Sequence, residues 1–310
     1  MGITPEELRS RVRGLLSFPV SPFTLDDQPD LPRYRDHIRY LLDGDPGALF
    51  VCGGTGEFFS LDLGEYEALV RTAVEEVNGR VPVIAGVGYG AALAGSFAQV
   101  AEASGVDGLL VLPPYLLQVE QEGLYEHYQR VAQSTRLGLI LYQRDNALFA
   151  PETIGRLAEL PQVIGFKDGH GDMERLLRIR AVVGDRLLLF NGMPTAELSA
   201  PAFRAVGAPH YSSAVYNFVP EIARAYHEAV ERGDVETTGR LLNGFYIPFA
   251  RLRDRVRGYA VSLIKAGMRA RGRDAGHARP PLVNPTPVHG AELGEIIEQG
   301  LSLLQERSNA

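Results

Sequence analysis

Two side chains in this sequence stand where covalent chemistry could be done, and each closes an apolar run. Val163-Ile164-Gly165-Phe166 leads into Lys167, which is followed at once by Asp168-Gly169. Leu137-Gly138-Leu139-Ile140-Leu141 leads into Tyr142. An amine that can lose its proton attacks carbonyls to give imines, and a phenol beside it can pass the protons such a reaction moves. The lysine also stands out by rarity. Of 31 basic residues only Lys167 and Lys265 are lysine, and the rest are arginine, whose guanidinium cannot deprotonate in a protein. A free lysine titrates near ~10.4, so an attacking Lys167 needs burial or a neighbouring cation to lower it.

Other short stretches offer ligand-binding chemistry. Gly53-Gly54-Thr55-Gly56-Glu57 suits a carboxylate or phosphate, because glycines bring backbone N–H groups close and the threonine adds a hydroxyl. The same glycines would equally serve a tight turn. Tyr142-Gln143-Arg144-Asp145-Asn146 places Arg144 and Asn146 just beyond the phenol, and Tyr211-Ser212-Ser213-Ala214 offers paired hydroxyls that either bind a polar ligand or pack closely. Two further patterns carry little. Gly86-Val87-Gly88-Tyr89-Gly90 lacks the third glycine of a dinucleotide fingerprint at the right spacing. His170 and Asp172 lack a partner histidine at ligand spacing, so no metal is expected.

The elements that must position these residues follow from periodicity. Strand-length apolar runs occur at 15–20, 48–51, 81–87, 108–112, 137–142, 163–166, 187–190 and roughly 209–214. Helical patterns fill the intervals at 32–42, 63–77, 91–103, 123–133, 151–158, 172–182 and 195–205. A further short helix is signalled by Thr4-Pro5-Glu6-Glu7, with threonine as cap and proline at the first position. Eight strands alternating with helices over about 200 residues favour a closed (β/α)₈ TIM barrel above an open sheet. In such a barrel the carboxyl ends of the strands share one face, which gathers the stretches named above. Beyond Pro220 only helical patterns remain, at 220–232, 234–243, 247–271 and 291–304, with a Pro-, Gly- and Arg-rich connector at 272–290. The expected organisation is therefore a barrel over 1–219 and a C-terminal helical extension over 220–310 packed on it. The alternating arginines from Arg251 to Arg257 read as the charged face of one helix.

Composition bounds the rest. Hydrophobic content of 45% with 22% charged residues supports a substantial core, and a net charge of −7 without a basic stripe argues against nucleic acid as a partner. The single cysteine, Cys52, excludes an intrachain disulfide and a multi-cysteine metal site. No apolar run reaches ~18 residues, and the N-terminus has no signal-peptide core, so a cytoplasmic protein without membrane contact is expected.

Taken together, Gly54-Thr55-Gly56-Glu57, Tyr142 and Gly165-Phe166-Lys167 resemble the dihydrodipicolinate synthase / N-acetylneuraminate lyase superfamily of Schiff-base (β/α)₈ enzymes, over nearly the whole chain. The phrases Gly56-Glu57-Phe58-Phe59-Ser60-Leu61, Arg144-Asp145-Asn146-Ala147, Phe166-Lys167-Asp168-Gly169, Gly192-Met193-Pro194-Thr195-Ala196-Glu197 and Tyr211-Ser212-Ser213-Ala214 resemble most its decarboxylating keto-sugar-acid dehydratases. That resemblance implies that Lys167 forms an imine with a 2-oxo acid and Tyr142 shuttles protons. Gly54 and Thr55 would hold the adjacent carboxylate, with Arg144, Asn146, Ser212 and Ser213 for the far carboxylate and hydroxyls. It implies conversion of 5-dehydro-4-deoxy-D-glucarate to 2,5-dioxopentanoate, CO₂ and water without metal or organic cofactor, by a homo-oligomer (a tetramer or dimer of dimers). Leu116 stands where the synthases carry a second tyrosine, and Ala147 where they carry an arginine; both departures point away from the synthase substrate. The alternatives are a pyruvate-dependent class I aldolase or synthase on the same scaffold, and a non-catalytic ligand-binding barrel.

Overall fold

A computed structural model describes residues 3–144 and 146–305. Eight parallel strands close into a barrel in chain order: β1 (Leu15–Ser17), β2 (Ala48–Val51), β3 (Val83–Val87), β4 (Gly108–Val111), β5 (Gly138–Gln143), β6 (Val163–Asp168), β7 (Leu188–Asn191) and β8 (His210–Ser213). The barrel expected from the alternation of apolar runs is thus the fold observed. β1 stops short of the run that suggests it, because Pro19 has no N–H to continue the ladder.

The barrel interior is filled by Leu16, Phe18, Phe50, Ile84, Leu110, Ile140, Tyr142, Ile164 and Phe190. Its amino-terminal floor is closed by the helix Pro5–Arg11, whose Leu8 is fully buried in that same interior cluster. Glycine makes the space for it: a Cβ on Gly108 would lie 2.3 Å from the Leu8 side chain, and one on Gly138 3.1 Å. A larger core lies between the strands and the outer helices.

The phase of β6 decides which way Lys167 points. Val163 and Phe166 belong to the outer core and Ile164 to the inner one, which strict alternation cannot deliver. A register shift supplies the extra residue: Leu139 pairs with Val163, but Ile140 pairs with Gly165 and Tyr142 with Lys167. The irregularity resets the inward–outward phase, so Lys167 comes to face inward beside Tyr142. Gly165 permits it, since a Cβ there would lie 2.8 Å from the Phe190 ring and 3.1 Å from Ile140.

Two expectations for the helices are corrected. The stretch expected as one helix over 247–271 forms two, Ile247–Asp254 and Tyr259–Ala270, because Gly258 takes a left-handed conformation (φ 92°) and breaks the run. The expected helix over 195–205 is a single tight turn, Ala196–Ser199, followed by the short helix Ala200–Ala205, which restarts at Pro201. The helix Pro220–Arg232 occupies the place of the eighth outer helix, with His227 packing its ring 5.6 Å from that of Tyr211 on β8. The last helix, Pro287–Gln305, starts earlier than its apolar pattern suggests.

Candidate active site

A cavity of about 570 Å³ opens at the carboxyl ends of the strands. Lys167 lines it from β6 and Tyr142 from the adjacent β5, with Lys167 5% and Tyr142 7% exposed. The ammonium nitrogen lies 4.1 Å from the ring centre of Phe18 and 4.5 Å from that of Tyr142. Burial among these rings, with the Arg144 guanidinium nearby, lowers the Lys167 pKa from 10.5 to about 7. An amine titrating there is substantially neutral at neutral pH, which is what attack on a carbonyl requires. The Tyr142 hydroxyl donates to the Gly192 carbonyl at 2.9 Å and has the Arg144 Nη1 at 3.5 Å.

Neighbouring residues hold this pair in place. One step beyond it on the same two strands, the Gln143 amide donates to Asp168 at 2.8 Å, and its carbonyl accepts from the Phe149 N–H. Asp168 also accepts from the N–H groups of His170 and Gly171, both at 3.0 Å, closing the turn after β6. His170 and Asp172 are therefore parts of a turn and a helix start, with Asp172 capping the helix Met173–Val183 through the Arg175 N–H. Close packing fixes the rest: a Cβ on Gly192 would lie 2.8 Å from the Tyr142 ring and 2.9 Å from the Lys167 side chain.

Gly54 and Thr55 line the cavity from the loop after β2, and Ser212 lines it from β8. Gly86 of β3 and Gly88 just beyond it pack against that loop and the turn that follows it. A Cβ on Gly86 would lie 2.3 Å from the Cys52 carbonyl, and one on Gly88 3.2 Å from the Phe58 ring. Cys52 itself is fully buried in a left-handed conformation (φ 48°), and burial pushes its thiol well above its ordinary range.

A buried lysine near the end of β6, a tyrosine across the ladder and a glycine-threonine loop lining the same cavity are one constellation, and comparison with known proteins gives it a family. The family model described as "Dihydrodipicolinate synthetase family" matches residues 11–300. The chain belongs to that family. Among curated relatives, a probable 5-dehydro-4-deoxyglucarate dehydratase 1 of Streptomyces avermitilis is 50% identical over 297 residues, covering 94% of this chain and 95% of the relative. One of Streptomyces coelicolor with the same name is 51% identical over 298 residues, covering 94% of each. Among solved structures, dihydrodipicolinate synthase from Oceanobacillus iheyensis superposes with a TM-score of 0.89 at 27% identity, covering 96% of this chain and 99% of that one.

Within this dihydrodipicolinate synthetase family member, six of the eight residues singled out from the sequence line one cavity: Gly54, Thr55, Tyr142, Arg144, Lys167 and Ser212. Two do not. Ser213 is fully buried on the other side of β8, donating its hydroxyl to Glu197 at 2.6 Å. The Asn146 amide ties down the loop after β4, donating to the carbonyls of Pro114 at 2.6 Å and Leu117 at 2.7 Å. Adjacent strand residues face opposite ways, so at most one of Ser212 and Ser213 could reach the cavity.

Other lining residues escaped the sequence reading. Phe18 forms the wall against the amine, and the break between the helices Ile247–Asp254 and Tyr259–Ala270, with the turn before it, contributes Arg253, Val256, Arg257 and Gly258. Arg253 is held by the Thr195 hydroxyl and by Asp254. The alternating arginines concealed this, since the same spacing describes a solvated helix face. Gly258 among them was the available sign of a break.

Proposed function

We propose that this chain is a 5-dehydro-4-deoxyglucarate dehydratase, decarboxylating its substrate through a Schiff base on Lys167. The observation that carries the reading is a buried amine titrating near 7 beside Tyr142, in the same cavity as the Gly54-Thr55 loop. The names of the half-identical relatives supply the substrate.

The chemistry balances without an external oxidant or reductant. Neutral Lys167 adds to the C5 ketone, and water leaves to give a protonated imine, with the C6 carboxylate against Gly54 and Thr55. The iminium acidifies C4. Removal of a C4 proton gives an enamine that expels the C3 hydroxyl as water, leaving an alkene conjugated with the iminium. The C1–C2 bond then breaks, CO₂ departs, and its electron pair enters that extended acceptor. The resulting C2 enol becomes an aldehyde as C3 and C4 regain protons, and hydrolysis frees 2,5-dioxopentanoate and the amine. We assign to Tyr142 the movement of protons at the imine nitrogen, a role supported by its ring beside the amine, while its bond to the Gly192 carbonyl fixes its angle.

The substrate is a dianion, and the charges around the cavity suit it: among the described residues, Arg144, Lys167, Arg253 and Arg257 line it with one carboxylate, Asp254. Arg144 and Arg253, with the Ser212 hydroxyl, are the groups we assign to the second carboxylate and the hydroxyls. The loop after β4 exposes Tyr115, Leu116, Leu117 and Val119 together, an apolar patch that supports homo-oligomerisation through this edge.

Incubation with 5-dehydro-4-deoxy-D-glucarate decides the reaction. Release of CO₂ with 2,5-dioxopentanoate supports the dehydratase, whereas release of pyruvate would mean an aldolase on the same scaffold. Borohydride reduction during turnover should add the substrate skeleton to the peptide carrying Lys167. A folded Lys167→Ala variant that still turned over would remove the mechanism.

A further inference from the structure

The second of the two lysines is as buried as the first. Lys265, on the helix Tyr259–Ala270, places its ammonium 2.6 Å from one carboxylate oxygen of Glu57, with the side chains 1% and 0% exposed. The ammonium also donates to the His277 carbonyl at 2.8 Å and lies 4.3 Å from the Phe23 ring centre. The other carboxylate oxygen of Glu57 accepts the Arg279 N–H at 2.9 Å. The Arg279 guanidinium then reaches the Ser60 carbonyl and the Glu65 carboxylate, each at 2.8 Å. Both oxygens of a residue in the barrel's second loop are thus held by the C-terminal extension.

Glu57 is the last residue of the loop that carries Gly54 and Thr55. Its own backbone is left-handed (φ 55°), as is that of Cys52 at the loop's start (φ 48°). For side chains with a Cβ this conformation is costly and persists only where surroundings impose it. The base of the loop is fastened, by the Glu57 N–H to the Gly54 carbonyl (3.2 Å), the Phe58 N–H to the Gly53 carbonyl (3.1 Å) and the Ser21 hydroxyl to the Gly56 carbonyl (2.7 Å). The tip stands open, since a Cβ on Gly54 would meet nothing within 4 Å.

We propose that the Lys265–Glu57 ion pair is a positioning device for the carboxylate-binding loop, through which the C-terminal extension sets where Gly54 and Thr55 meet the substrate. This rests on the reading that the loop receives the carboxylate next to the imine carbon. Stability alone explains the pair poorly, because apolar side chains of equal volume are commonly as good or better than a buried ion pair. The choice of lysine fits the role. Its compact ammonium meets a carboxylate, a carbonyl and a ring at once, point-charge contacts that the planar guanidinium used at nearly every other basic position is not shaped to make.

The test uses Lys265→Met, which leaves Glu57 unpaired, and the double variant Lys265→Met/Glu57→Gln, which removes both charges and keeps the volume. Borohydride trapping of Lys167 is measured with pyruvate, which offers a carboxylate beside its carbonyl, and with acetone, which does not. The expected result is a half-saturating pyruvate concentration raised at least tenfold, a saturating trapping rate within threefold of wild type, and unchanged acetone trapping. Unchanged pyruvate half-saturation in a variant that has merely lost thermal stability would overturn the proposal. So would equal loss with both ketones, or failure of both variants to fold, which would make the pair a folding determinant. If wild-type protein traps neither pyruvate nor the keto-sugar acid at Lys167, the proposed function fails first, and this inference with it.

Discussion

Replacing Lys167 with methionine should make the protein inactive and more stable, by an amount that depends on pH. The pKa of this amine falls from 10.5 in the unfolded chain to about 7 in the barrel, chiefly through burial. Between those values the unfolded state binds the proton and the folded state does not, so folding stability rises with pH from 7 to 10.5. Below 7 both states are protonated, and the buried charge exacts its full cost of about 5 kcal/mol. By pH 9 that cost has shrunk to about 2 kcal/mol. Methionine fills the same slot between Phe18 and Tyr142 without the charge. Urea unfolding of both proteins at pH 5.5 and pH 9 therefore has a defined outcome. The variant should be the more stable at both, and its advantage should shrink by about 3 kcal/mol at the higher pH. An advantage that did not change with pH, or a variant less stable than wild type at pH 5.5, would refute the claim that Lys167 is held as a strained, readily deprotonated amine.

Three further outcomes follow from the same geometry. The pH profile of kcat/KM should rise through about pH 7 as Lys167 loses its proton, and Arg144→Gln should move that limb to higher pH, because the guanidinium helps lower the amine. Gly192→Ala should cut kcat/KM at least tenfold and cost about 1–3 kcal/mol in urea unfolding, since the new methyl collides with Tyr142, Lys167 and the Asp168 carbonyl. Burial raises Glu197 from 4.5 to about 7, so the folded state holds this proton more tightly and stability falls as pH climbs between those values, by about 3 kcal/mol; Glu197→Gln should flatten that fall in a series of denaturant melts.

The strands were legible because a parallel barrel buries both faces of each one, leaving short unbroken apolar runs whose ends the sequence displays directly. Lys167 and Tyr142 were legible for the same reason, as polar residues terminating such runs. Direction was harder. Nothing in Val163-Ile164-Gly165-Phe166 announces the register shift that turns Lys167 inward, and nothing in Ser212-Ser213 says which hydroxyl faces the cavity. The far wall was hidden for another reason. Arg253 and Arg257 reach the cavity only because the chain breaks at Gly258 and folds back over the barrel mouth, a tertiary placement that local periodicity does not encode. The Lys265–Glu57 pair joins residues some two hundred positions apart, and only the scarcity of lysine hinted that either member was unusual.

The leucine stopper at the barrel floor has a consequence for the opposite end. Leu8 belongs to the same buried cluster of side chains as Tyr142, and it arrives from a helix that precedes the first strand. Trimming that helix would uncork the axis and let solvent climb toward the amine. Rehydrated, Lys167 would drift back toward its ordinary basicity. An enzyme shortened by a dozen residues at its start could keep every residue of its catalytic rim and still need alkaline buffer to work.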